Sequence, residues 1–175
     1  MTHRTLYIVT CGAPLAARVG DGVRAAHSRG WNPYVIPTDA ALPWLEDQDL
    51  SGAQVITGNR KPGESKRTPM ANAVAVVPLT LNSLNAWANG NATTYPLTTL
   101  SAALGSRTPT VAVPLAKHDL AGHPAWVASL AVLRYAGIRV VDPHNGSTRS
   151  VSPIRSGTGD QVAIDFRWDW VLDLL

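Results

Sequence analysis

The sequence predicts a doubly wound α/β fold, a Rossmann-like parallel sheet in three layers, on three observations. Short apolar runs without polar alternation recur along the chain, segments with helical spacing fall between them, and four of the runs end in small, hydroxyl or amide residues. Strands that are apolar throughout are buried on both faces, as in a parallel sheet covered by helices on each side. In open sheets of this kind ligands bind beyond the carboxyl ends of the strands, where the strand order reverses.

The elements follow in order. TLYIVT (residues 5–10) is a β-rich run ended by CGAP. LAARVGDGVRAAHSRG (15–30) places apolar residues at Leu15, Ala16, Val19, Val23 and Ala26, a helical spacing that Gly30 ends. NPYVIPT (32–38) is a second strand, and AALPWLED (40–47) is a short helical piece that Pro43 begins or breaks. AQVITG (53–58) is a third strand, and NRKPGESKRTP (59–69), polar and full of breakers, is a loop. ANAVAVVP (71–78) is a strongly buried strand that opens into PLTLNSLNAWANG (78–90). A packed core has no use for that segment's hydroxyls and asparagines, whereas a wall around a polar ligand does. Its 80–90 portion and YPLTTLSAALG (95–105) read as helical. TPTVAVPL (108–115) is another buried strand. HPAWVASLAVLRYAG (123–137) is the clearest helix, with Ala125, Val127, Leu130, Ala131 and Leu133 expected to face inward, and IRVVDP (138–143) is a last strand.

The 175 residues suit one domain spanning residues 1–175, with a core over 5–143, a flap or loop over 144–160, and an apolar closing segment over 161–175 that packs on the body or on a neighbouring subunit. Hydrophobic residues make up 45% and charged residues 15%, which indicates a folded globule rather than a disordered chain. The net charge of +3 is scattered apart from Arg60, Lys61, Lys66 and Arg67, so no basic stripe points to nucleic acid. The single cysteine, Cys11, permits no intramolecular disulfide. With no membrane-spanning apolar run and no signal-peptide pattern, the expectation is a cytoplasmic protein without a membrane partner. No residue set suggests a metal site.

Four strand ends, TCGAPLA, IPTDA, VVPLTLNS and AVPLAKHD, are expected to share one edge of the sheet. Gly12, before a helix, either lets backbone N–H groups approach an anion or simply makes a tight turn. The spacing is neither G-x-G-x-x-G nor a Walker A loop. Thr38 either binds a ligand or caps the next helix, as Asp39 could. Thr80, Asn82 and Ser83 are either turn and cap residues or ligand contacts, and the company of the other strand ends favours contact. Cys11 reads as a buried thiol. Trp44 and Trp87 are the tryptophans nearest the site loops.

These motifs, in this order, resemble the flavoprotein superfamily that includes the homo-oligomeric flavin-containing cysteine decarboxylases, both the phosphopantothenoylcysteine and the peptidyl-cysteine enzymes. Flavin prenyltransferases share the fold. Members carry a strand, P-A-T-A-N-T, a helix and A-x-G-x-A-D-N. Here PLTLNSLNAWANGNATT keeps Pro78, Thr80, Asn82, Ser83 in place of Thr, Ala88, Gly90 and Ala92. The Gly12-Ala13 pair, PTDAA after the second strand, and the frame from VPLAKHDLAGHP to Pro143 extend the resemblance over residues 5–143. It implies a flavodoxin-like flavoprotein fold holding FMN, or occasionally FAD, at a subunit interface of a homo-trimer or dodecamer. It also implies cofactor contacts at Gly12, Ala13, Thr38, Pro78, Thr80, Asn82 and Ser83.

The catalytic machinery departs from the family. The decarboxylase histidine upstream of the P-A-T-A-N-T strand falls near Glu64, and no histidine lies between His27 and His118. The substrate clamp P-x-M-N-x-x-M-W becomes PLAKHDLA, with Ala116, Lys117 and Ala121 at the Met, Asn and Trp positions, and Thr93 replaces the Asp of A-D-N. Lys117, as a substrate-carboxylate partner, and His118, as a base titrating near neutrality, are the catalytic candidates. The bland alternative is a pair of solvated loop residues. The resemblance thus implies oxidative decarboxylation of a cysteine-containing small molecule or peptide. The alternatives are a flavin prenyltransferase-like enzyme, with Arg60, Lys61 and Arg139 as phosphate candidates, or a non-catalytic flavin-binding subunit.

Overall fold

The computed structural model describes residues 4–175. Strands β1 (Arg4–Thr10), β2 (Trp31–Pro37), β3 (Gln54–Val55), β4 (Ala73–Thr80), β5 (Thr110–Leu115) and β6 (Arg139–Val140) form one sheet in the order β3-β2-β1-β4-β5-β6. Every pairing is parallel. The order therefore reverses between β1 and β4, the switch point of a doubly wound sheet.

Alternate residues of each strand feed two cores. Leu6 and Ile8 of β1, Val35 of β2, Ala75 and Val77 of β4 and Val113 of β5 face one layer. Packed there are a 3₁₀ turn (Pro14–Arg18), α1 (Val19–Ser28), and the C-terminal helices α7 (Gly159–Asp165) and α8 (Asp169–Leu172). Tyr7, Val9, Val74, Val76 and Ala112 face the other layer. It comprises α3 (Leu81–Ala88), α4 (Tyr95–Gly105) and α6 (Pro124–Tyr135), with the short α5 (His118–Ala121) beside α6, while the short α2 (Leu42–Leu45) buries Leu45 in the first layer. The closing segment thus packs on the chain's own body. Phe166 and Trp168 are buried, the Trp168 Nε1–H donates to the Arg18 carbonyl at 2.8 Å, and a Cβ on Gly22 would lie 2.3 Å from the Trp168 ring.

Several elements differ from their sequence expectations. β4 continues through Thr80, two residues beyond its expected end at Pro78, and the helix expected over 80–90 begins at Leu81. The third strand shrinks to two exposed residues, since an edge position buries only one side of it. In α6 the inward face is Trp126, Ser129, Leu130 and Leu133, while Val127 is 67% exposed. That helix is apolar nearly all round, so its residue pattern barely marks the inner face.

Candidate functional site

The carboxyl edge is built where the chain leaves β1, β2, β4 and β5. Cys11 N–H donates to the Pro78 carbonyl at 3.1 Å, tying the first strand end to the third, and Thr38 N–H donates to the Thr10 carbonyl at 2.9 Å, tying in the second. Gly12 is required by this convergence: a Cβ there would sit 2.3 Å from the Ala40 carbonyl oxygen. Any side chain would push the turn after β1 away from the turn after β2.

Thr38 stands before a 3₁₀ turn (Asp39–Ala41), yet its side chain caps nothing. Among the described residues, the buried hydroxyls of Thr38 and of Thr10 have no hydrogen-bond partner. Buried hydroxyls are rarely left so, because desolvating one without a partner costs about 1–3 kcal/mol. Thr80 precedes α3 and likewise makes no side-chain cap. Its hydroxyl lies 3.5 Å from that of Ser83, which is buried. The free N–H groups and dipole at the start of α3 therefore face the crevice without a side chain satisfying them.

A cavity of about 390 Å³ opens beside these groups. Gly12, Ala13, Thr80 and Asn82 line it together with Leu115 and Lys117 from the end of β5. Trp44 and Ile154 complete its walls. Of the expected cofactor residues, Gly12, Ala13, Thr80 and Asn82 thus share one cavity, whereas Pro78, Ser83 and Thr38 lie in the same strand-end segments but do not line it. Trp87 is buried in the core and away from the cavity.

The two catalytic candidates part company. Lys117 lines the cavity just described, whereas His118 lines a neighbouring one of about 340 Å³ with His144, Arg155 and Asp165. Between them runs the segment after β6. Ile154 N–H donates to the Ala116 carbonyl at 2.9 Å and its carbonyl accepts from His118 N–H at 3.0 Å. Asp142, 1% exposed, holds this segment in place: its carboxylate accepts from the backbone N–H of His144 at 2.8 Å and of Ser152 at 2.7 Å. His123 caps α6, its Nδ1 accepting from Ala125 N–H at 3.0 Å.

Burial raises the Cys11 thiol pKa above its ordinary value, against smaller opposing contributions from hydrogen bonds with Ser83 and Thr80. Cys11 is buried in the core behind the Gly12 turn and does not line the cavity. Arg60 lies at the other end of the sheet, Lys61 gives its backbone N–H to the Glu64 carboxylate, and Arg139 donates to the Leu174 carbonyl. These three do not gather at the carboxyl edge. Sequence reasoning missed Thr10 and Ile154. Thr10 carries the signal that marked Thr38, a hydroxyl closing a buried strand, while nothing in the sequence around Ile154 marks it.

A doubly wound sheet whose switch-point crevice presents free hydroxyls, a helix start and almost no charge defines a nucleotide- or cofactor-holding α/β protein. The chain belongs to the Flavoprotein family, whose model matches residues 1–162. No curated protein matches the sequence. Among solved structures, the FMN-dependent cysteine decarboxylase TvaF from thioviridamide biosynthesis superposes with a TM-score of 0.69 at 21% identity, over 92% of this chain and 98% of that one. AnUbiX in complex with FMN and dimethylallyl pyrophosphate gives 0.65 at 16% identity, over 81% and 78%. A dodecameric FMN-dependent UbiX-like decarboxylase from Escherichia coli O157:H7 gives 0.64 at 14%, over 79% of each chain. These likenesses establish the fold. Among the described residues, no helix is long and apolar enough to cross a membrane.

Proposed function

We propose that this chain holds FMN at the carboxyl edge of its sheet and acts as a flavin-dependent decarboxylase on a small molecule or peptide bearing a thiol near a carboxylate. The observation that carries the reading is the pair of buried, unpartnered hydroxyls at Thr10 and Thr38 beside the Gly12 turn. Donors left without acceptors inside a fold of this class fit an anionic group supplied from outside. Gly12, Ala13 and Thr38 would hold the phosphate, and Pro78, Thr80, Asn82 and Ser83 would lie against the ring system.

When bound, FMN supplies a two-electron acceptor for a thiol, which makes loss of CO₂ from the neighbouring carboxylate favourable. The chain's own residues bind and orient. Lys117 offers a point charge to the substrate carboxylate, and Leu115, Leu120 and Ile154 give the cavity apolar walls. His118 lines the neighbouring cavity with His144 and Arg155 and not the one that Lys117 lines. Exposed apolar residues on α6 and α5, with Tyr135 97%, Val127 67% and Leu120 53% exposed, support assembly as a homo-oligomer.

A second reading, a flavin-binding subunit without turnover, is favoured by one observation: no histidine lies between His27 and His118, so the loop over residues 59–69 offers no imidazole. The test is the visible absorption spectrum of the purified protein, with mass spectrometry of what heat releases, followed by assay of CO₂ from a peptide ending in cysteine. Flavin bands, released FMN and CO₂ are expected. FMN without CO₂ selects the second reading. A colourless protein that takes up no added FMN overturns both.

A further inference from the structure

Among the described residues Asp142 is the only buried acidic side chain, at 1% exposure, and the flavin reading gives it no task. It stands where the chain leaves the last strand: Val141 N–H still donates to the Ala112 carbonyl at 2.9 Å. Every polar atom of Asp142 then turns to the ten residues that follow. Its N–H donates to the Ser147 carbonyl at 2.8 Å, and its own carbonyl accepts from Gly146 N–H at 3.0 Å. One carboxylate oxygen accepts from His144 N–H and the other from Ser152 N–H. No lysine, arginine or histidine pairs with it among the described residues. A buried carboxylate is tolerated only with such bonds. An amide in its place could accept at one oxygen but would set its own NH₂ against the other backbone N–H. The residue type is therefore matched to two converging donors.

The second donor, Ser152, lies two residues before Ile154. Ile154 is 4% exposed and forms a single parallel bridge with Lys117 beyond the end of β5. Its N–H and carbonyl are the two groups bonded to Ala116 and His118. A one-residue pairing orders several backbone dihedrals for two hydrogen bonds, so it needs support from elsewhere. Further on, Gly159 closes against the turn after β1, where a Cβ on it would meet Pro14 Cγ at 2.7 Å. Residues 142–159 thus form a strap from the edge strand to that turn. Ile154, within the strap, is the wall that leaves Lys117 on one cavity and His118 on the next.

We propose that Asp142 is the positioning residue of the carboxyl-edge cavity: its carboxylate, by fixing Ser152, wedges Ile154 between Ala116 and His118 and so sets which cavity Lys117 faces. The positioning follows from the fold alone, while its effect on FMN rests on the flavin reading.

The experiment is hydrogen exchange, read amide by amide on the full chain with and without added FMN. Asp142→Ala should speed exchange at the Ile154 and His118 amides about tenfold or more, with the amides of β1 and β4 unchanged. Asp142→Asn keeps one acceptor and should speed them less. Ser152→Pro removes the second donor from the strap's side. Ser152 is exposed and already precedes Pro153, which biases it to extended backbone. This variant should match Asp142→Asn, and it decides the matter if Asp142→Ala does not fold. FMN affinity should fall about threefold to tenfold in the same order. Ile154 and His118 amides as slow as in the wild type, with only His144 faster, overturn the proposal, since Asp142 would then hold no more than its own turn. Faster exchange with unchanged FMN affinity also overturns it. A wild-type chain that takes up no FMN overturns the flavin reading alone, and exchange at Ile154 and His118 still decides the role of Asp142.

Discussion

At the carboxyl end of the sheet, the cavity beside Gly12 and Thr80 is lined by backbone, hydroxyl and amide groups with one formal charge, Lys117; at the amino end, the cavity above Val74 is ringed by three. Both are suited to anions, but by different physics. The carboxyl edge relies on donors fixed by the fold, the turn after β1, the start of α3 and the threonines that close β1 and β2. Such dipoles need no reorganisation and lose little to salt. The amino end relies on long side chains from a loop, whose attraction is screened by ions and whose order costs entropy. The fixed edge should therefore tolerate no change of backbone, while the loop cavity should tolerate many.

The largest expected effect follows from that contrast. Gly12→Ala places a methyl group 2.3 Å from one backbone atom of Ala40 and 2.6 Å from another, neither of which is the flexible end of a side chain. One of the two turns must move. A stability loss of about 1–3 kcal/mol is expected, together with loss of bound flavin, read by thermal unfolding and by absorbance. Retention of both would mean that the two turns are not locked, and the fixed-donor account of this edge would be wrong.

How far the sequence foretold this edge depends on what each residue does. The buried strands after Thr5, Ala71 and Thr108 were legible because a parallel strand covered on both faces is apolar at every position. Gly12 and Thr80 were legible because a strand end is a special place in any such sheet. The edge strand at Gln54–Val55 and the inner face of α6 differ from the sequence expectation, since burial there is decided by neighbours rather than by the residues themselves. Trp126 faces in and Val127 out, though both are apolar. Thr38 was readable as cap or contact, and only the structure, in which it caps nothing, separates the two. The polar breakers over 59–69 predict a loop with a basic cluster, and that loop roofs the amino-end cavity. That its cations ring an apolar hollow depends on Tyr7 and Thr68, which lie 61 residues apart in sequence.

A middle-sized effect tests the free hydroxyls. Thr38→Val keeps the shape of the side chain and removes an oxygen that bonds nothing among the described residues. The apo protein should be as stable as before or slightly more so, because a buried unpartnered group is gone. Flavin affinity should fall about fivefold to tenfold, one hydrogen bond to a charged acceptor. Opposite behaviour, a destabilised apo protein with unchanged flavin affinity, would return Thr38 to a structural role and leave Thr10 as the buried, unpartnered hydroxyl of this edge among the described residues.

The smallest effect concerns Cys11, and it asks whether the carboxyl edge is as neutral as its lining suggests. The thiol is 1% exposed, and burial raises its pKa, with Ser83 and Thr80 offsetting part of the rise. A thiolate there would set a negative charge against the Gly12 turn and oppose any phosphate held by it. Native protein at about pH 8 should therefore resist iodoacetamide, whereas unfolded protein should react at the rate of a free cysteine. The linkage has a definite sign. Because the folded pKa lies above the unfolded one, the native state keeps a proton that the unfolded chain loses. Cys11 thus contributes its full stability below the unfolded thiol's pKa, and that contribution fades as pH climbs from about 8.5 through the folded value. Cys11→Ala should flatten that alkaline decline without altering flavin content at neutral pH. Rapid alkylation of the native protein would instead reveal an accessible thiolate, and the two ends of the sheet would then differ in the sign of their charge as well as in its amount.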